Sequence, residues 1–207
     1  MSARTAQLRR LPWRLRYEVG GRWASTARRL AIQATHLHCH VEFQGPVHLG
    51  PGFNLFIPGS GSFVVGPGVE FRRRFTCEVH GDGKVTIGAN TVFTYDTVIQ
   101  CSTSIDIGAD CAIGQAIIVD GNHKYQDHSR PFMEQGYDFR PVRIADGAVI
   151  MSKTTITHDI GERAVIGANT VVNRPIPAYS LAVGAPARVI KYFGPPELRP
   201  ELVADEG

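Results

Sequence analysis

A six-residue beat of apolar side chains constrains this chain more than any other feature. Ile87, Phe93 and Ile99 stand six apart, as do Ile107, Ile113 and Val119, then Ile144, Ile150 and Ile156, then Ile160, Ile166 and Val172. Four positions after the aliphatic a small residue usually follows: Thr91, Cys111, Ala148, Thr154, Ala164 and Thr170, with Ile117 the exception. Glycine directly follows the aliphatic in pairs such as Leu49-Gly50, Ile87-Gly88, Ile107-Gly108 and Ile160-Gly161. Neither an isolated helix nor an alternating strand has this period. A short strand plus a turn does, and three such units close a triangular coil of about 18 residues. Each aliphatic then points into a prism and stacks on its counterpart about 4.8 Å away. The glycines are expected at corners of positive φ. A β-sandwich fits less well, because its strands alternate with period two. Residues 36–86 keep the composition without the clean spacing.

The net charge of +3 hides a division. Residues 1–30 carry eight arginines against the single acid Glu18, whereas the rest of the chain is mildly acidic. Leu8, Leu11, Leu15, Val19, Trp23, Ala27, Leu30 and Ile32 recur among those arginines at spacings of three and four, broken near Pro12 and Gly20-Gly21. That predicts one or two amphipathic helices, packing on their own subunit or a neighbour, with peripheral contact to an anionic membrane as the alternative. An acidic body without a recognition motif argues against nucleic acid. No apolar run approaches a membrane span, and residues 1–30 lack the apolar core of a secretory signal. Cys39, Cys77, Cys101 and Cys111 show no metal or disulfide spacing and read as buried thiols of a reducing compartment. The chain therefore divides into a basic helical arm (1–34), a coiled body (35–192) and a short tail (193–207).

The beat stops after Val119 and resumes at Val142 or Ile144. Between them lies DGNHKYQDHSRPFMEQGYDFRP, a loop insertion over 120–143 rich in polar groups and aromatics. A loop of this length inside a compact repeat is usually functional. Tyr125, Phe132, Met133, Tyr137 and Phe139 are expected to anchor it. The register places its root, Asp120–His123, above Cys101–Ser104 and below Thr157–Asp159. His123 is the useful member, since an imidazole titrates near neutrality and can take a proton from a hydroxyl. Asp120 and Glu134 are candidates to orient the ring or meet an acceptor, and His128 and His158 are alternative bases.

The repeat, the Asn122-His123-Lys124 run and the closing stretch IGERAVIGANTVVNRPIPAYSLAVGAPARVIK resemble the hexapeptide-repeat acyltransferases, over roughly residues 45–192. The resemblance implies a left-handed parallel β-helix of about seven coils, a homotrimer, acetyl-CoA bound along the groove between adjacent prisms, and no metal. It implies O-acetylation in the cytoplasm, of a sugar hydroxyl in a polysaccharide or its precursor, or of an antibiotic-type xenobiotic. The Asn122-His123 pair is similar to the family's signature, with the histidine as general base. Val149-Ile150-Met151-Ser152 is similar to its donor stretch, with Ser152 offering a backbone N–H to the thioester oxygen. Gly167-Ala168 would border the pantetheine, and Arg174, Arg188 and Lys191 the CoA phosphates. Two departures stand beside these positions: Met151 replaces the usual glycine, and the corner between Ile156 and Ile160 is about two residues short. Competing readings are a γ-type carbonic anhydrase, with His123 and His128 as zinc ligands, and a non-enzymatic assembly protein.

Overall fold

The computed structural model describes residues 10–15 and 20–199. The segment 193–199 of the expected tail includes a short 3-10 turn, Pro196–Leu198, and the remainder lies outside the described residues. The body is a three-faced prism of parallel strands. The first face stacks β1 (His40–Phe43), β4 (Ser62–Val65), β7 (Lys84–Ile87), β10 (Ser104–Ile107) and β15 (Val142–Ile144). Parallel bridges at Ile160 and Ile176 carry this face two levels further. The second face stacks β2 (His48–Leu49), β5 (Glu70–Arg73), β8 (Val92–Tyr95), β11 (Ala112–Ile113), β16 (Val149–Ile150), β18 (Val165–Ile166) and β20 (Ser180–Val183). The third comprises β3 (Asn54–Phe56), β6 (Thr76–Val79), β9 (Val98–Cys101), β12 (Ala116–Val119), β17 (Thr154–Ile156) and β19 (Val171–Val172). The antiparallel β21 (Arg188–Tyr192) closes the second face.

The coils are not uniformly eighteen residues long. Phe71 pairs with Phe93, twenty-two positions on. Phe93 pairs with Ile113, twenty on, and Ile150 with Ile166, sixteen on. The core explains the taper. Phe63, Phe71, Phe75 and Phe93 fill the wide N-terminal coils, with Phe71 stacked on Phe93 at 5.0 Å, while Ala148, Ala164 and Ala182 fill the narrow C-terminal ones. Large rings hold a wide prism open and alanine lets it close, because interiors pack to near-crystalline density. The irregular spacing of residues 36–86 is thus a wider coil, and the short corner after Ile156 belongs to the narrow ones. The register also slips by one at β12. Ile118, not Val119, is buried between Ile99 and Ile156, and Ile117 faces outward at 46% exposure.

The glycines after the aliphatics have a different cause from the one expected. Of the eight glycines that follow an aliphatic in the coiled body (Gly50, Gly66, Gly88, Gly108, Gly114, Gly161, Gly167 and Gly184), only Gly184 has positive φ. Left-handed backbone falls instead at turn residues such as Gly68, Asn90, Asp110 and Gly147. What requires glycine is close approach between coils. A Cβ on Gly50 would stand 1.7 Å from the Arg72 carbonyl oxygen, and one on Gly161 2.3 Å from the Ala178 nitrogen. Gly50→Ala must therefore displace the neighbouring coil, and we expect it to cost about 3 kcal/mol, read as a lowered denaturation midpoint.

The helix α1 (Gly20–Thr35) covers the N-terminal end of the prism. A parallel stack ends in an unpaired strand edge, which must be satisfied or shielded. Buried Ser25 accepts the Leu49 N–H at 2.8 Å and Arg28 Nη1 donates to the Leu49 carbonyl at 2.8 Å, so one residue of that edge is bonded on both sides. Arg29 donates to the Gly45 carbonyl, and Ile32 packs on the core. No helix among the described residues is long and apolar enough to cross a membrane.

Candidate active site

The long insertion leaves the prism at the edge between the third and first faces. It begins as an antiparallel hairpin, β13 (Gly121–His123) against β14 (Tyr137–Phe139), with a 3-10 turn at Phe132–Glu134. Alternation along paired strands fixes which side each residue faces. Gly121 and His123 share a face with Phe139 and Tyr137, while Asn122 and Asp138 look the other way. Lys124 Nζ lies 3.4 Å from Asp138.

His123 is exposed and held by rings. Phe132 meets it edge-on at 5.4 Å and Tyr137 lies against it at 4.3 Å. Among the described residues no carboxylate pairs with the imidazole. The face it shares opens on a cavity of about 490 Å³, lined also by His80, Gln100, Ser102, Asp120, Tyr137 and Phe139. This groove runs toward the wide coils. Tyr137 and Phe139 stack at 5.5 Å along one wall. Glu78 accepts from Gln100 at 3.2 Å and lies 3.6 Å from His80. The insertion's large apolar side chains do not bury themselves on their own chain: Tyr125 is 75%, Phe132 54% and Met133 64% exposed.

Asp120 neither touches the ring nor stands in solvent. Its carboxylate is buried and accepts the N–H groups of Ser102 (2.9 Å) and Thr103 (2.6 Å) and the Thr103 hydroxyl (2.8 Å). Its carbonyl accepts the Arg140 N–H at 2.7 Å, so both roots of the hairpin are tied at this residue. Burial and the Asp120 carboxylate push the Cys101 thiol up to about 12, which keeps it protonated and inert.

Glu134 is exposed at the end of the 3-10 turn. His158 lies on the same prism edge but does not line the His123 groove. Partial burial first, then the Arg140 guanidinium, lowers its pKa from the ordinary histidine value, and Thr157 Oγ1 bonds its Nδ1 at 3.0 Å. His128 is exposed in the insertion, and among the described residues no three His, Cys, Asp or Glu side chains converge as a metal-ligand set.

The expected donor residues, Arg174 apart, lie off the His123 edge. Met151-Ser152 and Gly167-Ala168 follow β16 and β18, at the corner between the second and third faces. Ser152 accepts the Asn169 N–H at 3.1 Å, which links the two levels. Arg188 pairs with Val183 at the top of the same corner. Lys191 sits back along β21, opposite Leu181. Arg174 follows β19, at the His123 edge two levels above it. Within one chain, none of Ser152, Gly167, Ala168, Arg188 or Lys191 lines the groove in front of His123.

His80 and Gln100 were not singled out from the sequence. His80 pairs its level with Ser102, twenty-two residues on, and only the wider coil brings it into register.

Comparison with known proteins agrees with this architecture. No family model matches the chain. Over 156 residues it is 33% identical to "Probable acetyltransferase Rv3034c" of Mycobacterium tuberculosis, covering 73% of this chain and 52% of that protein. It is 32% identical over 116 residues to the serine acetyltransferase of Haemophilus influenzae, covering 56% and 39%. The hexapeptide-repeat acetyltransferase of Vibrio cholerae, solved in complex with acetyl coenzyme A, superposes with a TM-score of 0.58 at 24% identity, over 94% of this chain and 91% of that one. The relatives of this chain are thus named acetyltransferases, and its structural neighbour is a hexapeptide-repeat acetyltransferase. The chain spans about half the length, or less, of these two curated relatives. The fold shared with the Vibrio cholerae structure accounts for the stacked aliphatics and the small inward residues.

Proposed function

We propose that the chain is an acetyl-CoA-dependent O-acetyltransferase acting on a hydroxyl, most suitably of a sugar in a polysaccharide or its precursor. The observation that carries this is the hairpin that sets His123 over a groove with aromatic, hydroxyl and amide walls, at an edge distinct from the donor stretch. In this reading His123 takes the acceptor hydroxyl proton as the oxygen attacks the thioester carbonyl. The Ser152 N–H receives the developing oxyanion, a contact often worth several kcal/mol. Collapse of the tetrahedral adduct expels the CoA sulfur, which recovers the proton from the imidazolium. Gly167-Ala168 border the pantetheine, and Arg188, Lys191 and Arg174 meet phosphates.

Because Ser152, Gly167 and Ala168 stand on a different edge of the prism from His123 and Arg174, the site is completed by a second copy. We read the assembly as a homotrimer with the His123 edge of one chain facing the Ser152 edge of the next, each coil left-handed. The exposed ring of His123 and the exposed Met151 side chain (46%) both suit surfaces that a neighbour covers. Met151, in place of glycine, then narrows the channel beside the thioester. The unpaired thiols and the use of acetyl-CoA suit the cytoplasm.

Free thiol released from acetyl-CoA, followed across a panel of sugar, amino-acid and xenobiotic hydroxyl acceptors, tests the reading. Release stimulated by saccharides is expected. Stimulation by serine alone would move the acceptor class, and a failure to bind acetyl-CoA would overturn the transferase reading.

A further inference from the structure

The outer face of α1 carries a stripe that none of the described residues covers. Trp23, Ala27, Leu30 and Ala34 follow at helical spacing, and Leu37 continues the line just beyond the helix. Trp23 is 74%, Leu30 59% and Leu37 87% exposed. The opposite side of the helix, with Ser25, Arg28 and Ile32, is the side engaged with the prism. The stripe is therefore surplus to capping the fold. Leu11, Trp13 and Leu15 add further exposed apolar surface on the chain just before the helix.

The surroundings of the stripe are cationic. Beside it, Arg22, Thr26, Arg29 and His48 line a cleft of about 560 Å³ between the helix and the first coils, with Glu70 at the far wall paired to Arg72 at 3.3 Å. The first thirty residues hold eight arginines and one acid. A second copy of the helix docking on this stripe would bring two such arms together, and like charge opposes it. An anionic lipid surface satisfies both features, since indole and leucine side chains enter the interface while arginines meet phosphates.

We propose that this end of the prism is a docking surface for anionic phospholipid. The apolar stripe inserts at the head-group level, and the cleft beside it takes a lipid phosphate. The inference is independent of the transferase reading. In a parallel trimer it would also set three such surfaces on one end of the assembly, so that weak single contacts add through avidity.

The test uses the full chain with vesicles of pure phosphatidylcholine and of phosphatidylcholine mixed equally with phosphatidylglycerol. Binding to the mixed vesicles alone is expected, weakened by salt and accompanied by a blue shift of tryptophan emission. Trp23→Ser with Leu37→Ser should lower the partition coefficient at least tenfold. Arg22→Gln should lower it about fivefold, as removal of one interfacial charge does. These side chains are exposed, so thermal stability and any transferase activity should stay unchanged. Equal binding to both vesicle types, or no binding, overturns the proposal. So does a drop in assembly mass in the Trp23→Ser, Leu37→Ser variant, which would make the stripe a contact between copies.

Discussion

His123→Ala is expected to lower the rate of acetyl transfer by about 10²–10⁴-fold, the usual contribution of a positioned general base. Acetyl-CoA affinity should stay within a few-fold, because the residues assigned to the donor lie off the His123 edge, except Arg174, which stands two levels above the ring. The fold should also be untouched. The ring is exposed and its recorded contacts are with Phe132 and Tyr137, so its loss opens no buried cavity and orphans no buried donor. A melting temperature equal to that of the parent, with kcat collapsed, is the signature. Unchanged turnover would move the base elsewhere, to His158 first.

Asp120→Ala should have the other large effect, and of a different kind. The substitution removes a buried carboxylate that three donors face, leaving the N–H groups of Ser102 and Thr103 without their acceptor. Losing such charge-assisted bonds costs about 3 kcal/mol, which lowers the melting temperature of a chain this size by roughly 10 °C. The hairpin also loses its tie to the coil below, and with it the placement of His123. A displacement near 1 Å at a reacting group can cost about a hundredfold in rate. Both stability and kcat should therefore fall, whereas His123→Ala lowers only the second. Asp120→Asn should rescue a large part of the loss, since Oδ2 alone accepts the Ser102 and Thr103 N–H groups and the Thr103 hydroxyl, and an amide oxygen in its place keeps those bonds without the charge. Full activity in the Asp120→Ala variant would show that the hairpin holds itself in place.

The sequence made the prism legible because its signal is redundant. Ile144, Ile150, Ile156, Ile160 and Ile166 stack at fixed spacing, and Ala148, Thr154 and Ala164 are buried between them as their size predicts. The wide coils were less legible because phenylalanine replaces the aliphatics and each turn gains several residues, which blurs the six-residue beat. That blurring hid His80, whose place beside Ser102 depends on a twenty-two-residue step. The slip at β12 was hidden for a related reason: Ile117, Ile118 and Val119 are all apolar, and hydrophobicity alone does not say which one points inward. His123 could be located at its edge by register. Its facing direction could not, because that is set by the pairing of Gly121–His123 with Tyr137–Phe139 across an insertion without periodicity. Asp120 read as a solvated or acceptor-side carboxylate, since its backbone donors are the N–H groups of Ser102 and Thr103 on the coil below, eighteen and seventeen residues earlier.

The division of the site between two chains follows from the two edges and can be tested by mixing defects. His123→Ala removes the base, and Ala168→Trp, at an exposed position, blocks the donor groove. Trimers containing both variants, purified through two different tags, should regain roughly a third of parental activity, because one of the three interfaces then joins an intact histidine to an intact donor edge. Mixed trimers no more active than either parent would contradict the account, since a site held within one chain is defective in every copy.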